Sequence, residues 1–449
     1  MLDQSFSLKN FRKIYDIDRK NKGKIEKDHF PEAYNVRLKI IHSRNIIKIL
    51  YRRYNGGKLS LDELNNRKSK INDVIEKRKE EYNSIVDNKI LEIMAIVNFR
   101  GYSLSLTKLS YQVRNKDVFS IGNKVEDIFL SRQIQYTLGS IFDTKINNRD
   151  LIVSRLSTLN KESSPKFIIR ADVENFYESI NHKDLLDIIH ASPKLSVAPK
   201  QTITLLIKSF KKITGLDHGL PRGIGISAYL SEIYMNEIDN KIQSINDITY
   251  YDRYVDDMIL VFSPRKKENL SNYLKDISKI VNKRGLNLND KTVEIDLYNH
   301  SNKKFEYLGY EFNISSNSCT IKLSSKKISK IQSRIEKTFY EYNRTFKNTP
   351  KKSFSLIMLR LKFLTGNTRL HNSKSNAFVG IYFSNKFVTS SSDLAGLDYY
   401  LTNKLKTIKD VKLISKINKL SFVKGFDERI FRNFTPKELS EISKVWKNV

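Results

Sequence analysis

The 449 residues carry 80 lysines and arginines against 49 acids, a net charge of +31, with 39% hydrophobic and 11% aromatic side chains. That apolar content is enough for a sizeable core and excludes general disorder, and a single cysteine, Cys319, excludes an internal disulfide framework. There is no zinc-spaced Cys/His cluster, no apolar run approaching ~18 residues and no basic-then-apolar leader at MLDQSFSLKN, so a cytoplasmic chain without a membrane partner is expected. A composition rich in Lys, Ile and Asn explains many lysines but not the shortage of acids; the surplus points first to nucleic acid.

In chain order, residues 1–31 are mixed, with a basic stretch at Arg19, Lys20, Lys22, Lys24 and Lys27. From Glu32 to about Asn98 the pattern is helical, broken at Tyr54-Asn55-Gly56-Gly57, and Ser60-Leu61-Asp62-Glu63 reads as a capping box opening the second piece. After Arg67 this piece is charged nearly all round, so a solvated helical arm is expected. Residues 99–170 alternate short helical and extended pieces, and 166–323 mix strand and helix signals. From 324 the chain returns to helix: Ile328, Ile331, Ile335, Phe339, Tyr342 and Phe346 predict one apolar face, beside Lys326, Lys327, Lys330, Arg334, Lys337 and Arg344. Those cations belong either to a routine amphipathic helix or to a side lying along a phosphate backbone. Thr435-Pro436-Lys437-Glu438 opens a last helix.

The sharpest local feature is Thr249–Phe262, two β-rich runs flanking Asp256-Asp257, which predicts a hairpin with two carboxylates at its tip. Adjacent like charges repel, and a divalent cation with oxygen ligands, Mg²⁺ above all, removes the conflict. Upstream, the apolar run Phe167-Ile168-Ile169-Arg170-Ala171 ends at Asp172, and Asn181 caps the following helix. Three carboxylates converging on a metal pair ~3.5–4 Å apart would suit phosphoryl transfer. Between them Gly219–Ser227 is a glycine-rich loop without Walker spacing. Downstream stand Gly285-Leu286 with Lys291-Thr292, and the aromatic run Phe305–Phe312.

In this order the motifs resemble those of a reverse transcriptase, over roughly residues 125–315. Asp172 falls at the first catalytic motif, Leu220-Pro221-Arg222-Gly223 looks like the Leu-Pro-Gln-Gly turn, and Tyr254-Val255-Asp256-Asp257 matches the Tyr-x-Asp-Asp box. Lys291 fits the Gly-Leu…Lys-Thr motif, and Tyr307-Leu308-Gly309 looks like the primer grip. The resemblance implies an α+β right-hand polymerase: an N-terminal helical extension (1–100), fingers and palm with an antiparallel palm sheet (101–323), and a helical thumb-like region (324–449). It implies that Asp172, Asp256 and Asp257 are catalytic and, with the Val173 carbonyl, hold two Mg²⁺, Mn²⁺ being a substitute. Tyr177 would be the steric gate against a ribose 2′-hydroxyl; Arg222, Gly223 and Lys291 would meet the nucleotide. Arg222 departs from the family's Gln. Arg132 and Arg155 are weaker finger candidates, and Lys166 and Arg170 take no assigned role.

A retroviral RNase H carboxylate set is absent after residue 330, one cysteine excludes the Cys-rich endonuclease of maturases, and the retron turn and thumb are not clean here. Gly223–Glu232, Phe363–Leu370 with Gly380–Asn385, and Ser5–Phe11 look most like bacterial defence-associated reverse transcriptases, in particular the first enzyme of a type-3 anti-phage system. That likeness implies RNA-directed synthesis of DNA from dNTPs, a structured non-coding RNA template, a second reverse transcriptase, and a homo- or hetero-oligomer. An untemplated or protein-primed DNA polymerase of the same fold is the alternative, followed by a nucleic-acid-binding scaffold.

Overall fold

The computed structural model describes residues 3–21, 23–99, 101–113, 115–142, 148–315, 318–370 and 377–446. Helices α1 (Leu8–Asn21), α2 (Lys24–His29), α3 (Pro31–Asn55) and α4 (Leu61–Val97) come first, then the antiparallel hairpin β1 (Leu106–Val113) and β2 (Lys116–Ile121), α5 (Val125–Ile141) and α6 (Arg149–Leu159). The middle of the chain runs β3 (Phe167–Asp172), α7 (Phe176–Ser179), α8 (His182–Ala191), α9 (Val197–Thr214), α10 (Gly225–Gln243), β4 (Ile248–Tyr254), β5 (Asp257–Phe262), α11 (Tyr273–Asn282) and β6 (Val293–Asp296). Strands β7 (Lys303–Tyr307), β8 (Tyr310–Ser315) and β9 (Ser318–Leu323) lead to α12 (Ser325–Phe346) and α13 (Pro350–Leu364). The short strands β10 (Asn367–Arg369) and β11 (Phe378–Gly380) precede α14 (Ser392–Leu405), α15 (Val411–Ile417), α16 (Phe422–Asp427) and α17 (Pro436–Lys444).

These elements form two compact units that alternate along the chain. One comprises Met1–Lys145, Glu174–Lys241 and Ile280–Asn287; the other Ile146–Val173, Ile242–Lys279 and Leu288–Val449. In the first, aromatic side chains of α1 meet those of α5 and of the α2–α3 junction: the Phe11 and Phe129 rings lie 5.4 Å apart, and Tyr15 and Phe30 4.9 Å. The Tyr15 and Tyr82 hydroxyls, 2.9 Å apart, both reach buried Glu26, which pairs with Arg37 at 2.6 Å. Ser60 and Glu63 form the expected capping box on α4. The solvated-arm expectation for α4 is corrected: Ile75, Tyr82, Val86, Ile90, Ile93 and Val97 are buried. Their 3- and 4-residue spacing makes a narrow stripe, which the charges on either side conceal in a reading by composition.

The second unit holds a four-stranded antiparallel sheet, order β4-β5-β3-β6, and a three-stranded one, β7-β8-β9. Strand β5 is central, and its residues Met258 to Phe262 are all buried, as a continuous apolar run demands. One core joins the sheets to the C-terminal helices through Ile168, Ile259, Phe312, Ile335, Leu361 and Phe422. Helix α12 buries Ile335, Phe339 and Tyr342 of its predicted face, with Ile328 and Ile331 packed at the margin. Thr435 and Glu438 form the second capping box. Among the described residues no helix is long and apolar enough to cross a membrane.

Candidate active site

Register places the acids. Strands β3 and β5 pair antiparallel with Asp172 opposite Asp257, so the last residue of one strand faces the first of the other. The connection from β4 to β5 is the two-residue turn Val255-Asp256, in which Val255 takes a φ of 63°. A β-branched residue in that left-handed region is strained, and the strain sits at the x of the Tyr-x-Asp-Asp box. Asp256 occupies the turn itself; its carbonyl accepts from the Val173 amide at 3.3 Å. The expected tip therefore resolves into one acid on the turn and one on the strand.

Residues two apart on a strand share a face, so Arg170 lies beside Asp172 and reaches diagonally across to Asp257. Its Nε and Nη2 donate to the two Asp257 oxygens at 3.1 and 3.3 Å, and its Nη1 to the Glu306 carbonyl at 2.9 Å. Burial raises the Asp257 carboxyl above its ordinary value, with the charge of Asp172 adding to the rise; Arg170 pulls the other way. Asn289 donates to Asp172 at 2.5 Å, while Lys291 stands 3.8 Å from the same oxygen with most of its side chain in solvent. Among the described residues no three His, Cys, Asp or Glu side chains are gathered closely enough to hold a metal ion. The donors nevertheless suit one: hard carboxylate oxygens on Asp172 and Asp257, which stand opposite each other in the register, with Asp257 half-buried near a like charge.

Tyr307, Leu308 and Gly309 form the β7–β8 turn, with Tyr307 opposite Tyr310 and positive φ at Leu308 (46°) and Gly309 (75°). The buried Tyr307 hydroxyl donates to the Asp257 carbonyl at 2.9 Å, which ties this turn to the acidic strand. Arg149 donates to the Leu308 carbonyl.

Tyr177, Arg222 and Gly223 belong to the other unit and form their own cluster. Arg222 lies 5.1 Å over the Tyr177 ring and donates to Glu178 at 2.8 Å. Lys116 sits 3.8 Å from the other Glu178 oxygen and donates to Asn175 at 2.6 Å. Phe176 is buried, whereas Tyr177 is only half-buried. The Leu220 amide donates to the Tyr177 carbonyl at 2.8 Å, and the Phe119 amide to the Arg222 carbonyl at 2.7 Å. Gly223, at φ 102°, has room for no Cβ: one would stand 2.8 Å from the Phe119 oxygen.

The weaker candidates are engaged elsewhere. Lys166 is buried and donates to the Leu159 and Glu162 carbonyls, Arg155 lies 3.6 Å from Asp252, and Arg132 pairs with Asp18 at 2.8 Å. Sequence reasoning left Arg170 unassigned and missed Asn289 and Glu178. The alternation of β3 was the available signal for Arg170; cross-strand register supplies the rest.

Residues 98–312 match the family described as reverse transcriptase (RNA-dependent DNA polymerase). The match takes in a little under half of the chain, whose fold mixes helices with antiparallel sheet. No curated protein matches the chain in sequence. Among solved structures it is similar to apo telomerase from Candida tropicalis at 14% identity and TM-score 0.39, covering 76% of this chain and 61% of that one. It is similar also to a C-terminally truncated form of the same telomerase (17%, TM-score 0.36, covering 49% and 55%). Telomerase from Candida albicans with the TWJ fragment of telomeric RNA gives 13% and 0.35, covering 79% and 66%. The chain thus spans between about half and two thirds of the length of these proteins.

Proposed function

We propose that the chain is an RNA-directed DNA polymerase that adds deoxynucleotides to a growing DNA strand. The observation that carries this reading is the register pair Asp172–Asp257 beside the Asp256 turn, inside the stretch matched by the reverse transcriptase family. Asp172, Asp256 and Asp257, with the Val173 carbonyl, would hold two Mg²⁺, with Mn²⁺ as a substitute; the ions supply Lewis-acid activation of the primer hydroxyl and neutralise charge on the triphosphate. Arg170 fixes the plane of the Asp257 carboxylate with a two-pronged grip, and Asn289 holds Asp172. Lys291, mostly solvated, offers a mobile positive charge for the leaving pyrophosphate. The Tyr307–Gly309 turn serves as primer grip, its position set by the Tyr307 hydroxyl bond to the acidic strand.

Tyr177 serves as the gate against a 2′-hydroxyl, with Arg222 bracing its ring and Gly223 allowing the backbone its close approach. Tyr177→Val should therefore improve ribonucleotide incorporation relative to deoxyribonucleotide by about tenfold or more, the scale at which pocket shape discriminates a small group. Competition between labelled dCTP and CTP reads this ratio, and an unchanged ratio removes the gate assignment.

The anti-phage role, the structured non-coding RNA, a second reverse transcriptase and an oligomer complete the proposal. Their support is the likeness of Gly223–Glu232, Phe363–Leu370 and Gly380–Asn385 to defence-associated enzymes, and the net charge of +31 suits an RNA partner. The activity is tested by primer extension on defined RNA and DNA templates. Extension on RNA with dNTPs is expected; failure on both templates with dNTPs and NTPs would refute polymerisation.

A further inference from the structure

Residues of the C-terminal region line an open cavity of about 730 Å³, within the size range of small-molecule sites. Three cations on successive turns of one face of α12 line it: Lys327, Lys330 and Arg334. No aspartate or glutamate is among the lining residues. Lys327 and Arg334 are half-buried and Lys330 is exposed, and neighbouring like charges are favoured where a ligand supplies the opposite charge.

The cations are placed rather than splayed. Lys327 donates to the Asn385 side chain at 2.8 Å and lies 4.2 Å over the Tyr310 ring. Burial, with repulsion from Arg149, holds its pKa down at about 7. Arg334 stacks 5.4 Å over Trp446, whose indole N–H donates to the Arg334 carbonyl at 3.1 Å. The buried Arg334 Nε has no hydrogen-bond partner among the described residues. The lining also includes the apolar side chains of Phe363, Leu439 and Ile442. A site lined by cations and by aromatic and aliphatic side chains fits a ligand that is part anionic and part apolar.

We infer that this cavity binds a nucleotide, with its phosphates on Lys327, Lys330 and Arg334 and its base against the apolar side chains. The nucleotide comes free from solution. The site is separate from the acids on β3 and β5, and binding there needs neither metal nor turnover.

The test uses the full chain carrying Asp256→Ala and Asp257→Ala, in EDTA, so that the polymerase site contributes little. Calorimetric titrations use dGTP, deoxyguanosine, inorganic pyrophosphate and a 12-nucleotide DNA, with Lys330→Glu and Arg334→Gln as variants. Lys330 is exposed, so Lys330→Glu should keep the fold; circular dichroism checks both. Saturable dGTP binding, weakened about tenfold by each variant, supports a free-nucleotide site, tenfold being 1.4 kcal/mol and a modest share of a charge-assisted contact. Variant-sensitive binding of the 12-mer alone would overturn a free-nucleotide site and leave only a strand contact. Pyrophosphate binding as tightly as dGTP would overturn recognition of a nucleotide, and binding of neither dGTP nor the 12-mer that responds to these variants would overturn the site. None of these outcomes depends on the chain being a polymerase.

Discussion

Replacing Asp256 and Asp257 together with alanine is expected to lower nucleotide addition by roughly 10³-fold or more, the scale of removing charged groups preorganised around a developing oxyanion or metal. The fold should survive the change. Asp257 is half-buried opposite Asp172, and desolvation and the charge of Asp172 both raise its carboxyl, so its removal relieves a like-charge conflict. The cost is Arg170, left without its carboxylate but still bonded to the Glu306 carbonyl at 2.9 Å. Single-turnover incorporation and far-UV circular dichroism on the same preparation separate the two effects. Residual activity within tenfold of the parent would remove these acids from the chemistry.

Gly425→Ala should cost about 3 kcal/mol or more in unfolding free energy, at the upper end of overpacking effects. Helix α16 passes so close to the end of α13 that a Cβ at Gly425 would lie 1.9 Å from the Thr365 carbonyl oxygen. Backbone cannot move aside as a side chain can. The same contact region holds Asn367, whose side chain donates to the Gly425 carbonyl at 3.0 Å, so the strain spreads into the β10 pairing. Gly396→Ala in α14 is the matched control. A Cβ there meets nothing within 4 Å, and the helix should gain up to about 1 kcal/mol. Urea denaturation of both variants reads the difference; equal midpoints would show that α16 yields easily.

Much of the site was legible because its residues are local. A Tyr-x-Asp-Asp run between two β-rich segments carries its own turn, and Asp172 ends an apolar strand. The capping boxes at Ser60 and Thr435 were legible for the same reason: their partners lie three residues away. What escaped was set by pairing over long sequence distances. Arg170 meets Asp257 only because the register puts Ala171 opposite Met258. Asn289 meets Asp172 across a bridge between Val173 and Leu288. Glu178 meets Arg222 because the Leu220 amide bonds to Tyr177. The stripe on α4 was hidden differently, by charge density that masked a regular apolar spacing. The cationic face of α12 was visible, but the cavity it lines together with residues of α13 and α17 was not.

The most direct test of an RNA-templated polymerase uses the chain purified with the nucleic acid that accompanies it. Mg²⁺ and labelled dNTPs are added singly and together, with and without prior RNase, beside the Asp256→Ala/Asp257→Ala control. The account predicts DNA product from a specific subset of nucleotides, lost after RNase and lost in the control. Product that resists RNase yet still needs both acids would contradict an RNA template and favour untemplated or protein-primed synthesis. Product that persists without the acids would contradict the site itself.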